Sequence, residues 1–245
     1  MRILRLQALM LLVLFAVACR APGEEGNAST GAASPAAATA GGTGAGMHEA
    51  DVIELPPPSP VGDLSLEEVL AARRSIRDFT PEPLTRQELS QLLWAAQGLT
   101  SEWGGRTAPS AGALYPLELY LATPDGLYRY LPDGHRVEVL ASDDVRSPLA
   151  TAALGQEAVA DAPAVLIVAG VYARTAAKYG DRAERYVHLE AGHAAQNVLL
   201  QAVALGLGGV PIGAFEDRAV QEVLGLPTDH APFYLIPVGH PAPGT

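Results

Sequence analysis

The sequence predicts an α+β domain in which helices flank a mixed or antiparallel sheet, and three observations predict it. Short apolar–polar alternations recur on both sides of a turn signal between residues 117 and 140. A continuous apolar run, Ala164-Val165-Leu166-Ile167-Val168-Ala169, has the length and branching of a strand buried on both faces. Helical segments fall between these strands without the regular β-α-β alternation that a parallel sheet needs. The chain has 245 residues, 49% of them hydrophobic, enough for one domain with a real core. Its formal net charge of −11 argues against nucleic acid as a partner, because that affinity rests on many Lys and Arg neutralising phosphates.

The N-terminal 18 residues read as a signal peptide. Arg2 and Arg5 precede an apolar run over residues 6–18 that is too short to span a bilayer, and small Ala16 and Ala18 lead to Cys19. Cys19 is the only cysteine, so no disulfide can form within the chain. Its place after Ala16-Val17-Ala18 resembles the lipobox of bacterial lipoproteins, which implies an acylated thiol. A plain signal peptide with an incidental cysteine stays open, since such boxes usually carry Leu where Ala16 stands. Residues 19–61, rich in Ala, Gly, Ser, Thr and Pro without periodicity, read as a disordered tether. The expectation is an exported, membrane-anchored lipoprotein facing periplasm or cell exterior, touching the membrane only through its lipid.

The folded domain is expected over residues 62–245. Ser65-Leu66-Glu67-Glu68 and Thr85-Arg86-Gln87-Glu88 are capping boxes, each opening a helix. The second helix carries Leu89, Leu92, Leu93 and Ala96 on one face and stops at Gly98. Leu117, Leu119 and Leu121 alternate as a half-buried strand, and Pro132-Asp133-Gly134 marks a hairpin between residues 127–131 and 136–140. A helix is expected from about Asp144 to Leu154. A longer one over residues 182–205 has apolar residues on more than one face and is expected to be deeply buried. Strands at residues 208–212 and 233–238 enclose a helix over 217–224 that Gly225 stops.

Arg73-Arg74-Ser75-Ile76-Arg77 places three cations within five residues of an acidic chain, at the end of a helix, and suits an anion. The alternative is a helix C-terminus decorated with cations that favour its dipole. Lys178 is the only lysine among 16 basic residues. A lysine can give up its proton when desolvated and an arginine cannot, so Lys178, followed by Tyr179, is a candidate for titratable chemistry; a chance surface lysine is the competing reading. His188 and His193 are five apart and lack the i,i+4 spacing of a helical metal pair, so no metal is expected. Gly206-Leu207-Gly208-Gly209 fails as a dinucleotide fingerprint, since Pro211 stands where the third glycine belongs and the glycines follow a helix.

Arg73 to Arg77, Ala108-Pro109-Ser110-Ala111-Gly112, Glu190-Ala191-Gly192-His193-Ala194-Ala195-Gln196-Asn197 and Gly208-Gly209-Val210-Pro211-Ile212-Gly213-Ala214-Phe215 occur in one order. Together they resemble the flavin-dependent nitroreductase superfamily, most closely its SagB/ThcOx-type branch of peptide azoline dehydrogenases. The resemblance covers about Leu66 to the end. It implies FMN as cofactor, with Arg73, Arg74, Ser75 and Arg77 at the phosphate, Pro109, Ser110, Ala111 and Gly112 along the ring edge, and Pro211, Ile212 and Gly213 over its face. It also implies NAD(P)H as a possible electron donor, a homodimer built on helix 182–205, and proton handling by Lys178 and Tyr179. Ala113 and Tyr115 depart from the Asn and Gln common in nitroreductases, and the chain lacks basic residues after its last strand. Three functions follow: an FMN-dependent oxidoreductase working by ping-pong hydride transfer on a small-molecule or peptide substrate, a peptide azoline dehydrogenase, and a non-catalytic surface lipoprotein with a flavin fold.

Overall fold

The computed structural model describes residues 51–245. The signal peptide, Cys19 and most of the expected tether lie outside them. Fourteen α-helices and β-strands follow in chain order, with short 3-10 turns at Ala111–Ala113 and Gly180–Arg182: β1 (Val52–Glu54), α1 (Leu66–Ala72), α2 (Arg86–Gln97), β2 (Leu117–Thr123), β3 (Gly126–Leu131), β4 (Arg136–Ala141), α3 (Arg146–Ala152), α4 (Glu157–Asp161), β5 (Ala164–Gly170), α5 (Tyr172–Tyr179), α6 (Ala183–Ala204), β6 (Gly208–Gly209), α7 (Asp217–Leu224) and β7 (Ala231–Gly239).

The seven strands form one open sheet in the order β1-β4-β3-β2-β5-β7-β6, antiparallel at every pairing. The period of two along a strand divides its side chains between two cores. On one face Leu117, Leu119, Leu121, Leu166, Val168, Ile236 and Val238 pack with Leu92 and Leu93 of α2 and Val187, Ala191 and Val198 of α6. On the other face Tyr120, Ala122, Val165, Ile167 and Leu235 pack with Leu149 of α3, Val159 of α4 and Val220 and Leu224 of α7. Strand β5 is buried along its whole length, which is why its sequence is apolar without alternation.

Both capping boxes form. The Ser65 hydroxyl accepts the Glu68 N–H at 3.2 Å while the Glu68 carboxylate accepts the Ser65 N–H at 2.8 Å, and Thr85 and Glu88 repeat the exchange at 3.2 and 2.7 Å. Two backbone donors at each helix start are thereby satisfied.

Four expectations change. The domain begins before Gly62: β1 pairs with β4, Gln91 binds both the N–H and the carbonyl of Ser59, and the Ser90 hydroxyl donates to the Pro56 carbonyl. Low-complexity composition upstream hid a strap whose partners lie about 30 to 90 residues away. The helix expected from Asp144 breaks after Ala152, where Leu154 and Gly155 both take positive φ. Helix α5, which is not among the expected elements, follows directly on β5. Helix α6 buries one stripe, Val187, Glu190, Ala191, Ala194, Ala195, Val198, Leu199 and Ala202, and leaves Leu189 53% exposed, so within one chain it is half-buried.

Candidate active site

Helix α1 ends where Arg73 donates its N–H to the Val69 carbonyl, and the chain leaves in an extended course. That course is held from the side. Ser75 bridges Gly209 in parallel, and the Ile76 N–H donates to the Gly209 carbonyl at 3.1 Å. A β-carbon on Gly208 would lie 2.7 Å from the Ile76 side chain, so the approach needs a glycine there. Beyond it, Thr80 N–H donates to the His240 carbonyl and Ala242 N–H to the Asp78 carbonyl, each at 2.9 Å. The residues after the last strand therefore brace the arginine segment through backbone bonds. Arg74 and Arg77 are exposed, and Arg73 is partly so. Arg74 turns back onto the carbonyls of Ala71 and Arg73 at 2.9 and 2.8 Å. The guanidinium groups of Arg73 and Arg77 have no hydrogen-bond or ion-pair partner among the described residues.

Downstream of the same Gly-Gly pair, Ile212 exchanges two backbone bonds with Leu235, at 2.8 and 2.9 Å, and is buried. This turns Gly213 outward. The nearest atom a β-carbon there would meet is the Phe233 carbonyl oxygen at 3.9 Å, so open space lies over the Pro211–Gly213 backbone. Phe233 belongs to an aromatic cluster: its ring meets Tyr172 and His188 edge-on, with centroids 5.7 and 5.0 Å apart, and the Tyr172 hydroxyl lies 2.6 Å from His188 Nε2. His188 thus serves packing and hydrogen bonding.

The Pro109–Gly112 loop lies on α5 and α6. A β-carbon on Gly112, at φ +64°, would come within 2.9 Å of both Lys178 Nζ and Tyr179 Oη. The two residues singled out for titratable chemistry therefore close on this loop from across the fold, at the C-terminal end of α5. Lys178 Nζ stands 5.5 Å from the Tyr179 ring centroid, and Tyr179 meets Tyr186 edge-on at 5.1 Å. Ala113 and Tyr115 take φ of +55° and +47°, so three residues of four occupy the left-handed region. The Ser110 hydroxyl accepts the Tyr115 N–H at 2.9 Å, Arg174 donates to the Tyr115 carbonyl at 3.2 Å, and Arg106 stacks 4.5 Å above the Tyr115 ring.

Beneath the loop is a residue that carried no assigned role in the sequence. Glu190 is 5% exposed and accepts the Ala111 N–H at 2.8 Å. Burial pushes its carboxyl above the usual range, against the Ala111 N–H, the Ser110 hydroxyl and His193, which favour the charged form. The available signal was an acid on the apolar stripe of α6, between Val187 and Ala194. The Pro109–Ala111 loop, with Tyr186, Leu189, Glu190 and His193 of α6, lines a shallow groove of about 260 Å³. Two larger cavities, of about 360 and 380 Å³, lie elsewhere, at Ser59–Leu66 and beside Ile53.

The fold thus gathers the predicted residues into two sets. Arg73, Arg74, Ser75 and Arg77 join Pro211, Ile212 and Gly213 through Gly208-Gly209, while Pro109, Ser110, Ala111 and Gly112 join Lys178, Tyr179 and Glu190. No hydrogen bond among the described residues links the arginine segment to the loop.

The nitroreductase family matches residues 70–240, a span that contains both sets. The chain belongs to the nitroreductase family. A protein of Methanocaldococcus jannaschii that bears the provisional name nitroreductase is 47% identical over 195 residues, which are 77% of this chain and 97% of that one. A solved structure from Ralstonia eutropha, also provisionally named a nitroreductase, has a TM-score of 0.71 at 35% identity, covering 78% of this chain and 90% of its own. The NADPH:FMN oxidoreductase of Vibrio harveyi, solved with NAD+, has a TM-score of 0.55 at 28% identity over 72% of this chain and 68% of its own. As a nitroreductase-family oxidoreductase, the chain has the open antiparallel sheet and flanking helices shared with these neighbours.

The residues present suit FMN. Cations without partners meet the need of a phosphate, and open space over Gly213 meets that of a flat ring.

Proposed function

We propose that this nitroreductase-family protein is an FMN-dependent oxidoreductase that takes hydride from NAD(P)H and passes it to a small-molecule acceptor in ping-pong fashion. The observation that carries the reading is the bond between Ile76 and Gly209, which holds the arginine segment beside the Pro211–Gly213 turn. FMN, when bound, supplies the ring that accepts and returns the hydride. Arg73 and Arg77 offer charge and planar donors to its phosphate, and Ser75 adds a hydroxyl. The Gly213 backbone can lie against the ring because no side chain intervenes, which leaves the substrate room. Lys178 and Tyr179, placed at Gly112, are positioned to hold and deliver a proton at the loop.

The site is completed by a second copy in this reading. The arginine set and the loop set are each held by their own partners, and the open face of α6 bears exposed Leu189 beside the groove. A homodimer built on α6 would bring one copy's loop to the other's arginines. The narrower SagB/ThcOx-type reading, oxidation of a peptide azoline, rests on the resemblance of Lys178-Tyr179; the pair meets Gly112, but Lys178 is exposed within one chain and not desolvated, and the relatives above add no support. For the N-terminus the proposal is export and lipidation at Cys19. No described helix is long and apolar enough to cross a membrane, so an anchor would be the lipid, and Cys19→Ser should release the protein from the membrane fraction.

The test is the visible spectrum of the purified protein after incubation with FMN, followed by anaerobic addition of NADPH. A bound-flavin spectrum that NADPH bleaches is expected, and its absence from both the parent and a variant lacking Arg73 would end this reading.

A further inference from the structure

We propose that Glu190 is the positioning residue of the candidate site: its buried carboxylate pins the strained Ser110–Tyr115 loop to α6 and so sets the place of Gly112 against Lys178 and Tyr179. As far as the consequence concerns a flavin, the proposal rests on the reading above; as far as it concerns the loop, it stands without it.

Glu190 is the one buried acidic residue among those described. It projects from the stripe of α6 that otherwise packs Val187, Ala191 and Ala194 into the core. The loop above it is badly placed to hold itself. Gly112, Ala113 and Tyr115 all have positive φ, a conformation that costs an L-residue with a β-carbon, and it persists only where surrounding bonds over-determine it. The one buried carboxylate in reach supplies such a bond at the start of the stretch, and Ser110 and Arg174 supply others at its end. The Ala111 N–H donates to Glu190 Oε1, the Ser110 hydroxyl faces the same group, and the oxygen of that hydroxyl accepts the N–H of Tyr115. Glu190 therefore restrains the start of the left-handed stretch at Ala111, next to the Ser110 hydroxyl that holds its end at Tyr115.

Desolvation holds the Glu190 carboxyl above its ordinary value. A raised carboxyl contributes stability that is present at low pH and is lost as pH rises through its folded value. The groups facing it are Ser110, Ala111 and His193, with Tyr186 and Leu189 around the groove.

Hydrogen exchange by mass spectrometry on the full chain at pH 7 tests the inference with two variants. Glu190→Met keeps the volume and removes the acceptor; Glu190→Gln keeps an acceptor. The Met variant is expected to exchange about tenfold faster or more over residues 109–115, with β5 and α7 unchanged, and the Gln variant to stay within a few-fold of the parent. FMN titration of the same proteins should show the Met variant about tenfold weaker and the Gln variant close to the parent. Loop exchange that is unaltered in Glu190→Met, or is faster by the same factor throughout the fold, would overturn the proposal, as would equal losses in both variants. A parent that binds no FMN would count against the flavin reading alone, since the exchange pattern decides the role of Glu190 by itself.

Discussion

The backbone N–H of Ile76 donates to the carbonyl of Gly209 at 3.1 Å, and this bond joins two segments 133 residues apart into one surface. On one side of it stand Arg73 and Arg77, and on the other the Pro211–Gly213 turn.

The arginines are expected to matter for binding and hardly at all for folding. Each would make charge-assisted bonds to a phosphate, and losing one costs about 1.5–3 kcal/mol, or about 10- to 150-fold in affinity. Arg73→Ala and Arg77→Ala should each weaken FMN binding by that amount in a fluorescence titration, while unfolding midpoints remain within about a degree or two, as expected of exposed positions.

Gly208→Ala tests the joint between the segments. Its β-carbon would stand 2.7 Å from Ile76, and overpacking of this kind costs about 1–3 kcal/mol. The midpoint of unfolding should fall accordingly, and FMN affinity should fall with it because the arginine segment is displaced. Retained affinity would show that this joint does not place the arginines.

Gly112 and Lys178 separate position from chemistry. Gly112→Ala places a side chain at φ +64° and pushes against Lys178 and Tyr179, for a loss of about 1–2 kcal/mol in stability together with slower turnover. Lys178→Ala should leave stability and flavin content unchanged and lower kcat by about a hundredfold, the ordinary scale of a lost proton donor. Unchanged kcat would remove Lys178 from the site.

Acid should loosen the N-terminal strap. His135 Nδ1 lies 2.8 Å from the Tyr130 hydroxyl, and Nε2 lies 2.7 and 3.1 Å from Ser90 Oγ and the Pro56 carbonyl. Burial lowers its pKa from the ordinary 6.5, opposed by the Pro56 carbonyl and Glu54. The unfolded chain therefore takes up the proton first. Stability from this group is full above about pH 6.5 and is lost as pH falls from there toward the folded value. The drop in unfolding midpoint between pH 7 and pH 5 should be smaller in His135→Asn, a residue that also tolerates the φ of +50° found here.

Much of the fold was legible because its causes are local. Capping boxes use partners three residues away, the hairpin is declared by Pro132-Asp133-Gly134, and Gly98 and Gly225 follow the ends of α2 and α7. The site was legible in part. Its residues could be named from motifs, but Glu190 could not be separated from any other acid on a helix, and the strap over residues 51–61 looked like the end of a tether.

By itself the sequence determined the sheet-forming runs, the helix starts and the family to which the chain belongs, since each depends on residue type at short spacing. Only the tertiary structure decided which of these surfaces meet. The Ala111 N–H reaches Glu190 across 79 positions, and Gly112 meets Lys178 and Tyr179 across the fold. Burial and long-range pairing create such contacts once the two faces of the sheet are filled, and no periodicity within either segment records them.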